Sequence, residues 1–113
     1  MNGLVNNDVK LKYINRALNE FALNIQKRSG DEYEDGSFSA NIEFNYKQEL
    51  FSIYATQSDL NQNNEEQVCT SISMEYGPYS EEVMCELVSR FGGYVRADDH
   101  DSRSKWYQVK KCN

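Results

Sequence analysis

The chain has 113 residues, of which 39% are hydrophobic, with a single Pro and a formal net charge of −6. This length fits one domain over 1–113 that can bury a core, and the composition argues against disorder. No apolar run approaches the roughly 18 residues that cross a bilayer, and the first residues lack a signal-peptide pattern. We therefore expect a cytoplasmic protein.

The cysteines agree with that location. Cys69, Cys85 and Cys112 are odd in number, widely spaced and without a Cys-x-x-Cys pair. Small secreted domains usually carry even numbers of cysteines, and a zinc site needs more ligands than one His and these spacings supply. The pattern predicts free thiols.

The first predicted element is a helix over 8–28. Its apolar residues recur at spacings of three and four, which is the pattern of one buried helix face. They are Leu11, Ile14, Leu18, Phe21, Ala22 and Ile25. Gly30 is expected to end this helix.

Three strands are predicted next, over 38–46, 50–57 and 68–76. In each of them apolar and polar residues alternate, as in a strand with one buried face. The three-residue gap after Tyr46 favours a hairpin between the first two strands.

A second helix is predicted from Ser80 to a stop at Gly92-Gly93, followed by a hairpin of 94–96 and 105–109. The resulting order is α-β-β-β-α-β-β. It predicts an α+β fold, with an antiparallel sheet of about five strands and two helices packed on one face.

Charge is unevenly distributed along the chain. Sixteen of the eighteen acidic residues lie between Asp31 and Asp101, where three basic residues oppose them and the net charge is −13. The first twenty-eight residues carry +3 and the last twelve +4. Segregation of this kind informs about partners and not about fold.

Catalytic patterns are absent from the sequence. Asp98, Asp99, His100 and Asp101 could bind a divalent ion, but they do not match an EF-hand, and Asp is common in solvated turns. No nucleophile motif or phosphate-binding loop is present. We expect a protein that is not an enzyme and has no cofactor or metal.

Direct nucleic-acid binding is not expected either. Basic residues near both ends of the chain could contact phosphates, but the acidic middle would repel a duplex.

Protein binding is the function that these observations favour. Carboxylates steer association with a cationic partner, and tyrosines such as Tyr33 and Tyr79 are enriched at interfaces. The candidate contact residues are Asp31, Glu32, Tyr33, Glu34, Asp35, Glu65, Glu66, Tyr79, Asp98, Asp99 and Asp101.

We expect an acidic inhibitor that blocks a basic site on a toxin, a nuclease or a nucleic-acid-binding protein. In size, acidity and lack of catalytic motifs the chain resembles immunity proteins and phage anti-defence proteins, although no motif identifies a family. Two alternatives remain. One is a divalent-metal-dependent enzyme that uses residues 98–101, and the other is a regulatory module that self-associates through a sheet edge.

Overall fold

Helices and strands follow one another in the order β-α-β-β-β-β-α-β-β along the described part of the chain. The computed structural model describes residues 1–34, 36–57, 69–97 and 105–111. The elements are β1 (Asn2–Asn6), α1 (Leu11–Phe21), β2 (Leu23–Glu32), β3 (Phe38–Tyr46), β4 (Glu49–Gln57), β5 (Cys69–Met74), α2 (Ser80–Ser89), β6 (Gly93–Arg96) and β7 (Tyr107–Val109).

These strands form one sheet in the order β2-β3-β4-β5-β1-β6-β7. Every neighbouring pair is antiparallel. The predicted α+β class, with an antiparallel sheet and two helices, is confirmed. The described residues nevertheless contain seven strands instead of about five, because the predicted order lacked β1 and β2.

Both helices pack on one face of the sheet. Alternate residues of the central strands point into this face and are buried, as in the row Ala40, Ala55 and Ile72 across β3, β4 and β5. Helix α2 lies close over β1, since a Cβ atom at Gly3 would come within 2.8 Å of the Met84 sulfur. The buried helix residues are Leu11, Ile14, Ala17, Leu18, Ser80, Val83, Met84, Leu87 and Val88.

The predicted helix over 8–28 is wrong beyond Phe21. The backbone becomes extended at Ala22, and Asn24 adopts a left-handed φ of 55°. Residues 23–32 then pair with β3 as an edge strand, with register shifts between Leu23 and Gln26 and between Lys27 and Ser29. Pairing with a distant segment thus overrides the helical spacing of the local sequence.

Strand β1 was also missed. Its five residues insert between β5 and β6 in the sheet, with Val5 buried and Leu4 on the opposite face. The strand is short and contains Gly3, which is uncommon in strands, so its alternation gives little signal.

The hairpin of β3 and β4 matches its prediction closely. Its turn has two residues, Lys47 and Gln48, with φ of 48° and 66°, and this left-handed pair is the geometry that joins twisted antiparallel strands. Strand β5 is shorter than predicted and ends at Met74. None of the helices in the described ranges has the length and apolar character needed to cross a membrane.

Candidate functional site

The face of the sheet opposite the helices is covered by no described helix. We call it the open face. Its residues are those out of phase with the buried rows, among them Leu4, Ser52, Tyr54, Ser73 and Tyr94. Two of these tyrosines are well exposed, Tyr54 at 42% and Tyr94 at 49%. Large aromatic side chains that stay accessible on a sheet are candidates for contact with a partner.

A groove of about 640 Å³ lies on the open face, across β3, β4 and β5. We call it the acidic groove, because its described lining residues include three acidic residues and no Lys or Arg. They are Glu43, Glu49 and Glu75, of which Glu43 is out of phase with the buried residues of its strand, whereas Glu49, at the start of β4, is in phase with buried Ile53 and Ala55. Leu50, at 65% exposure, and Tyr76, at 68%, add accessible apolar surface beside Tyr54.

One wall of the acidic groove is the segment 75–78 that follows β5. The wall is fixed to Ser80, the first residue of α2, by three hydrogen bonds with Gly77, one of which runs from the Ser80 amide to the Gly77 carbonyl at 3.1 Å. The Gly77 amide donates to Ser80 Oγ at 3.0 Å, and Ser80 Oγ donates to the Gly77 carbonyl at 2.7 Å. Because Ser80 is itself buried, these bonds hold the chain that carries Glu75 and Tyr76 in place.

The groove carboxylates differ in their partners. Glu43 forms an ion pair with Arg28 of β2. Glu49 and Glu75 are exposed and form no ion pair with any residue that the structure describes. These two carboxylates are therefore available to a cation from outside the chain.

A second charged cluster lies at the same end of the sheet and binds the β3–β4 turn to α2. Lys47 Nζ donates to Glu82 Oε1 at 2.9 Å and lies 5.7 Å and 5.2 Å from the ring centroids of Tyr46 and Tyr79. The hydrogen bond from Lys47 lowers the pKa of Glu82, and the same bond raises the pKa of Lys47. The ring of Tyr79, predicted to contact a partner, is thus already in contact with Lys47, although 46% of the residue stays exposed.

The other predicted contact residues that the structure describes lie elsewhere. Asp31, Glu32, Tyr33 and Glu34 are all exposed at the end of β2, where Glu32 pairs with Phe38. Strand β3 separates them from Lys47 and Tyr79 by about 25–30 Å, at a rise of about 3.4 Å per residue. The structure therefore does not bring Tyr79 together with the loop at 31–34. The remaining predicted residues, Asp35, Glu65, Glu66, Asp98, Asp99 and Asp101, lie outside the described residues, as does His100.

The acidic groove was missed by sequence reasoning, although part of it had a signal. Tyr54 is out of phase with the buried residues Ile53 and Ala55, which places its ring on the open face. The positions of Glu75 and Tyr76 had no such signal, because they depend on where β5 ends and on the bonds between Gly77 and Ser80.

A third polar cluster lies on the helix side of the sheet. Tyr107 Oη donates to Glu81 Oε1 at 3.0 Å and lies 3.4 Å from Cys85 Sγ. Burial raises the pKa of Tyr107, and its contacts with Cys85 and Glu81 raise that pKa further. The phenol therefore stays protonated and acts as a hydrogen-bond donor. Within the described ranges, no three His, Cys, Asp or Glu side chains are grouped so that they could hold a metal ion.

Comparisons with known proteins give no relative: no protein-family model, no curated protein and no solved structure matches this chain. Fold and groove geometry together define an α+β protein with an open-faced antiparallel sheet that carries a concave acidic site.

Proposed function

We propose that this protein is a non-catalytic binder that recognises a cationic segment of a partner protein through the acidic groove and thereby blocks it. The observation that carries the proposal is the combination of accessible Tyr54 and Tyr76 with Glu75 in one concavity, where Glu75 is exposed and forms no ion pair with a described residue. The partner class is the one predicted above, a toxin, a nuclease or a nucleic-acid-binding protein with a basic site.

Charge complementarity favours Lys or Arg as the groups bound. A guanidinium or ammonium can be paired by a carboxylate while it lies over a tyrosine ring, and each such ring contact contributes about 0.5–1 kcal/mol at an exposed site. Glu75 and Tyr76, which are adjacent in sequence, both line the groove, and Tyr54 also lines it. An anionic partner would meet no Lys or Arg among the described lining residues.

The shape of the site favours a protein segment over a small molecule. Leu50, Tyr54 and Tyr76 are exposed rather than enclosed, and the open face continues beyond the groove toward Tyr94. Protein interfaces are broad and use aromatic side chains as anchors, whereas small ligands are mostly enclosed. A partner segment that lies here would have its basic side chains covered, which is the basis of the proposed inhibition.

The loop at 31–35 remains a second predicted contact in the same proposal. Asp31, Glu32 and Glu34 are exposed at the other end of β3, so only a large partner could reach both sites. A cytoplasmic location also belongs to the proposal. Its support is that Cys69 and Cys85 are free thiols, which suit a reducing compartment.

Two charge-reversal variants with equal change of charge separate the groove from the loop. In the first, Glu49→Lys and Glu75→Lys are combined, and in the second, Asp31→Lys and Glu34→Lys. All four side chains are exposed and without ion pairs to described residues, so both variants should fold.

The probe is a short peptide of alternating Arg and Leu, with its Glu-for-Arg counterpart as the matched control. Calorimetric titration should give binding of the cationic peptide alone. The groove variant should weaken that binding roughly tenfold, since each reversal replaces an attraction of up to about 1 kcal/mol by a repulsion, and the loop variant should weaken it much less. Equal weakening by both variants would indicate a non-specific effect of net charge and would contradict the proposal.

A self-associating module is the second candidate, and the edge of β2 that pairs with no described strand favours it. This strand has ten residues, nearly all exposed, and an unpaired edge can take up another strand. Lys27, Arg28, Asp31 and Glu32 and two register shifts lie along it, and charges and bulges are features that prevent edge pairing. Sizing over a concentration series distinguishes the two candidates, because only the module forms larger species as concentration rises.

A further inference from the structure

A second groove lies on the open face, at the opposite end of the sheet from the acidic groove and diagonally across from it. It has a volume of about 510 Å³ and lies among the strand ends Asn6 of β1, Cys69 of β5 and Gly93 of β6. We call it the basic groove, because Lys110 and Lys111 line it and no Asp or Glu is among its described lining residues. The open face thus carries two concave sites of opposite charge.

Tyr94 provides a flat surface in the basic groove. It pairs with Leu4 on one side and with Gln108 on the other, so all three side chains point toward the open face. Nearly half of Tyr94 is exposed, and Asn6 and Gln108 add polar side chains that can donate and accept hydrogen bonds.

The lysines are held at the same groove by a close backbone approach. Gly92 has a left-handed φ of 81°, and a Cβ atom there would come within 3.4 Å of the Lys111 backbone nitrogen and Cβ. The absence of a side chain at Gly92 allows the chain to pass over it and places Lys110 and Lys111 at the groove. Both lysines are exposed, and neither forms an ion pair with a described residue.

We infer that the basic groove binds a nucleoside monophosphate, with the base stacked on Tyr94 and the phosphate held by Lys110 and Lys111. An aromatic ring beside paired cations complements a planar base with an attached phosphate. A free mononucleotide fits better than a strand, because two lysines neutralise one phosphate well while the net charge of −6 repels a polyanion.

Cysteine footprinting tests this site with an internal control. Cys69 lines the basic groove, whereas Cys85 lies on α2 beside Tyr107 on the helix side. In full-length protein that carries Cys112→Ser, adenosine monophosphate should slow the alkylation of Cys69 by iodoacetamide and leave that of Cys85 unchanged. Calorimetric titration of the same sample measures binding directly, whatever the reactivity of Cys69.

Variants then identify the two parts of the ligand. Tyr94→Ala should weaken binding at least about fivefold, as expected for the loss of one stacking contact, while Tyr94→Phe should retain it. Lys110→Glu with Lys111→Glu should abolish binding, and Glu49→Lys with Glu75→Lys should not reduce it. The last variant changes only the acidic groove, so it tests whether the two grooves bind independently. Failure of either proposal would therefore not affect the other.

Three results would overturn the inference. The first is the absence of any heat of binding or Cys69 protection with the four common nucleoside monophosphates. The second is binding of inorganic phosphate as tight as that of the nucleotide, which would exclude a role for the ring. The third is tighter binding of single-stranded oligo-dT than of thymidine monophosphate, which would assign the groove to a polymer.

Discussion

Among single residues, Lys47 connects the β3–β4 turn to the first turn of α2. Its ammonium group bonds both carboxylate oxygens of Glu82, at 2.9 Å and 3.2 Å, and lies beside the rings of Tyr46 and Tyr79. This contact joins the β3–β4 turn to α2 at the end of the sheet where the acidic groove lies. Since both partners are largely exposed, water screens the pair, and its effect on stability is expected to be small but dependent on pH.

Replacing Lys47 by Met tests this pair through pH. Glu82 has its pKa lowered from 4.5, so its stabilising effect is present above that value and is lost as the pH falls through the folded pKa. Lys47 has its pKa raised from 10.5, so its effect is present below that value and is lost as the pH rises further. Urea denaturation should show the wild type slightly more stable than Lys47→Met at neutral pH and equal to it in acid. A difference that persists unchanged in acid would exclude the ion pair as its cause.

Among the elements, β2 is the one whose structure depends most on a distant partner. The chain leaves α1 at Ala22, takes a left-handed turn at Asn24 and joins the outer edge of β3. Asn tolerates this conformation better than other residues with a side chain, and its amide also donates to Asn45 Oδ1 at 3.3 Å. The left-handed residue therefore lies just inside β2, at the register shift between Leu23 and Gln26.

Two substitutions at Asn24 test that role. Asn24→Val should lower the free energy of unfolding by about 1–2 kcal/mol, because a β-branched residue is strained at positive φ. Asn24→Gly, which tolerates the conformation, is the matched control and should stay within about 0.5 kcal/mol of the wild type. Denaturant midpoints of the two variants provide the comparison. Equal destabilisation by both variants would mean that the lost hydrogen bond to Asn45, and not strain of the backbone at position 24, lowers the free energy of unfolding.

The elements also show what the sequence could predict. Alternation identifies β3 and β4, since Ile42 and Ile53 lie opposite each other in the buried row. Alternation does not identify β2, because nearly all of that strand is exposed. A strand without a buried face does not require apolar and polar residues to alternate. The helical spacing continues to Ala22 and Ile25 because both contact the same core, which hides the end of the helix.

For the whole molecule, the acidic middle of the sequence does not form one acidic surface among the described residues. Glu49 and Glu75 line the groove at one end of β3, while Asp31 and Glu34 lie in the loop at the other end. Linear charge density is the basis of the expected cationic partner, which stays a prediction, and it gave no position for the acidic groove. The site depends on which face of the sheet the helices leave uncovered and on the fixed segment after β5.

Chemical-shift mapping by NMR with the Arg-Leu peptide is the most direct test of cationic-peptide binding in the acidic groove, because it locates the contact without any variant. We expect the largest amide shifts at Tyr54, Ser73 and Tyr76, with little change in α1 and α2, and no shifts with the Glu-for-Arg peptide. Shifts confined to residues 31–34 or to the helix side, with none in the acidic groove, would contradict the proposal that the open face binds a cationic partner.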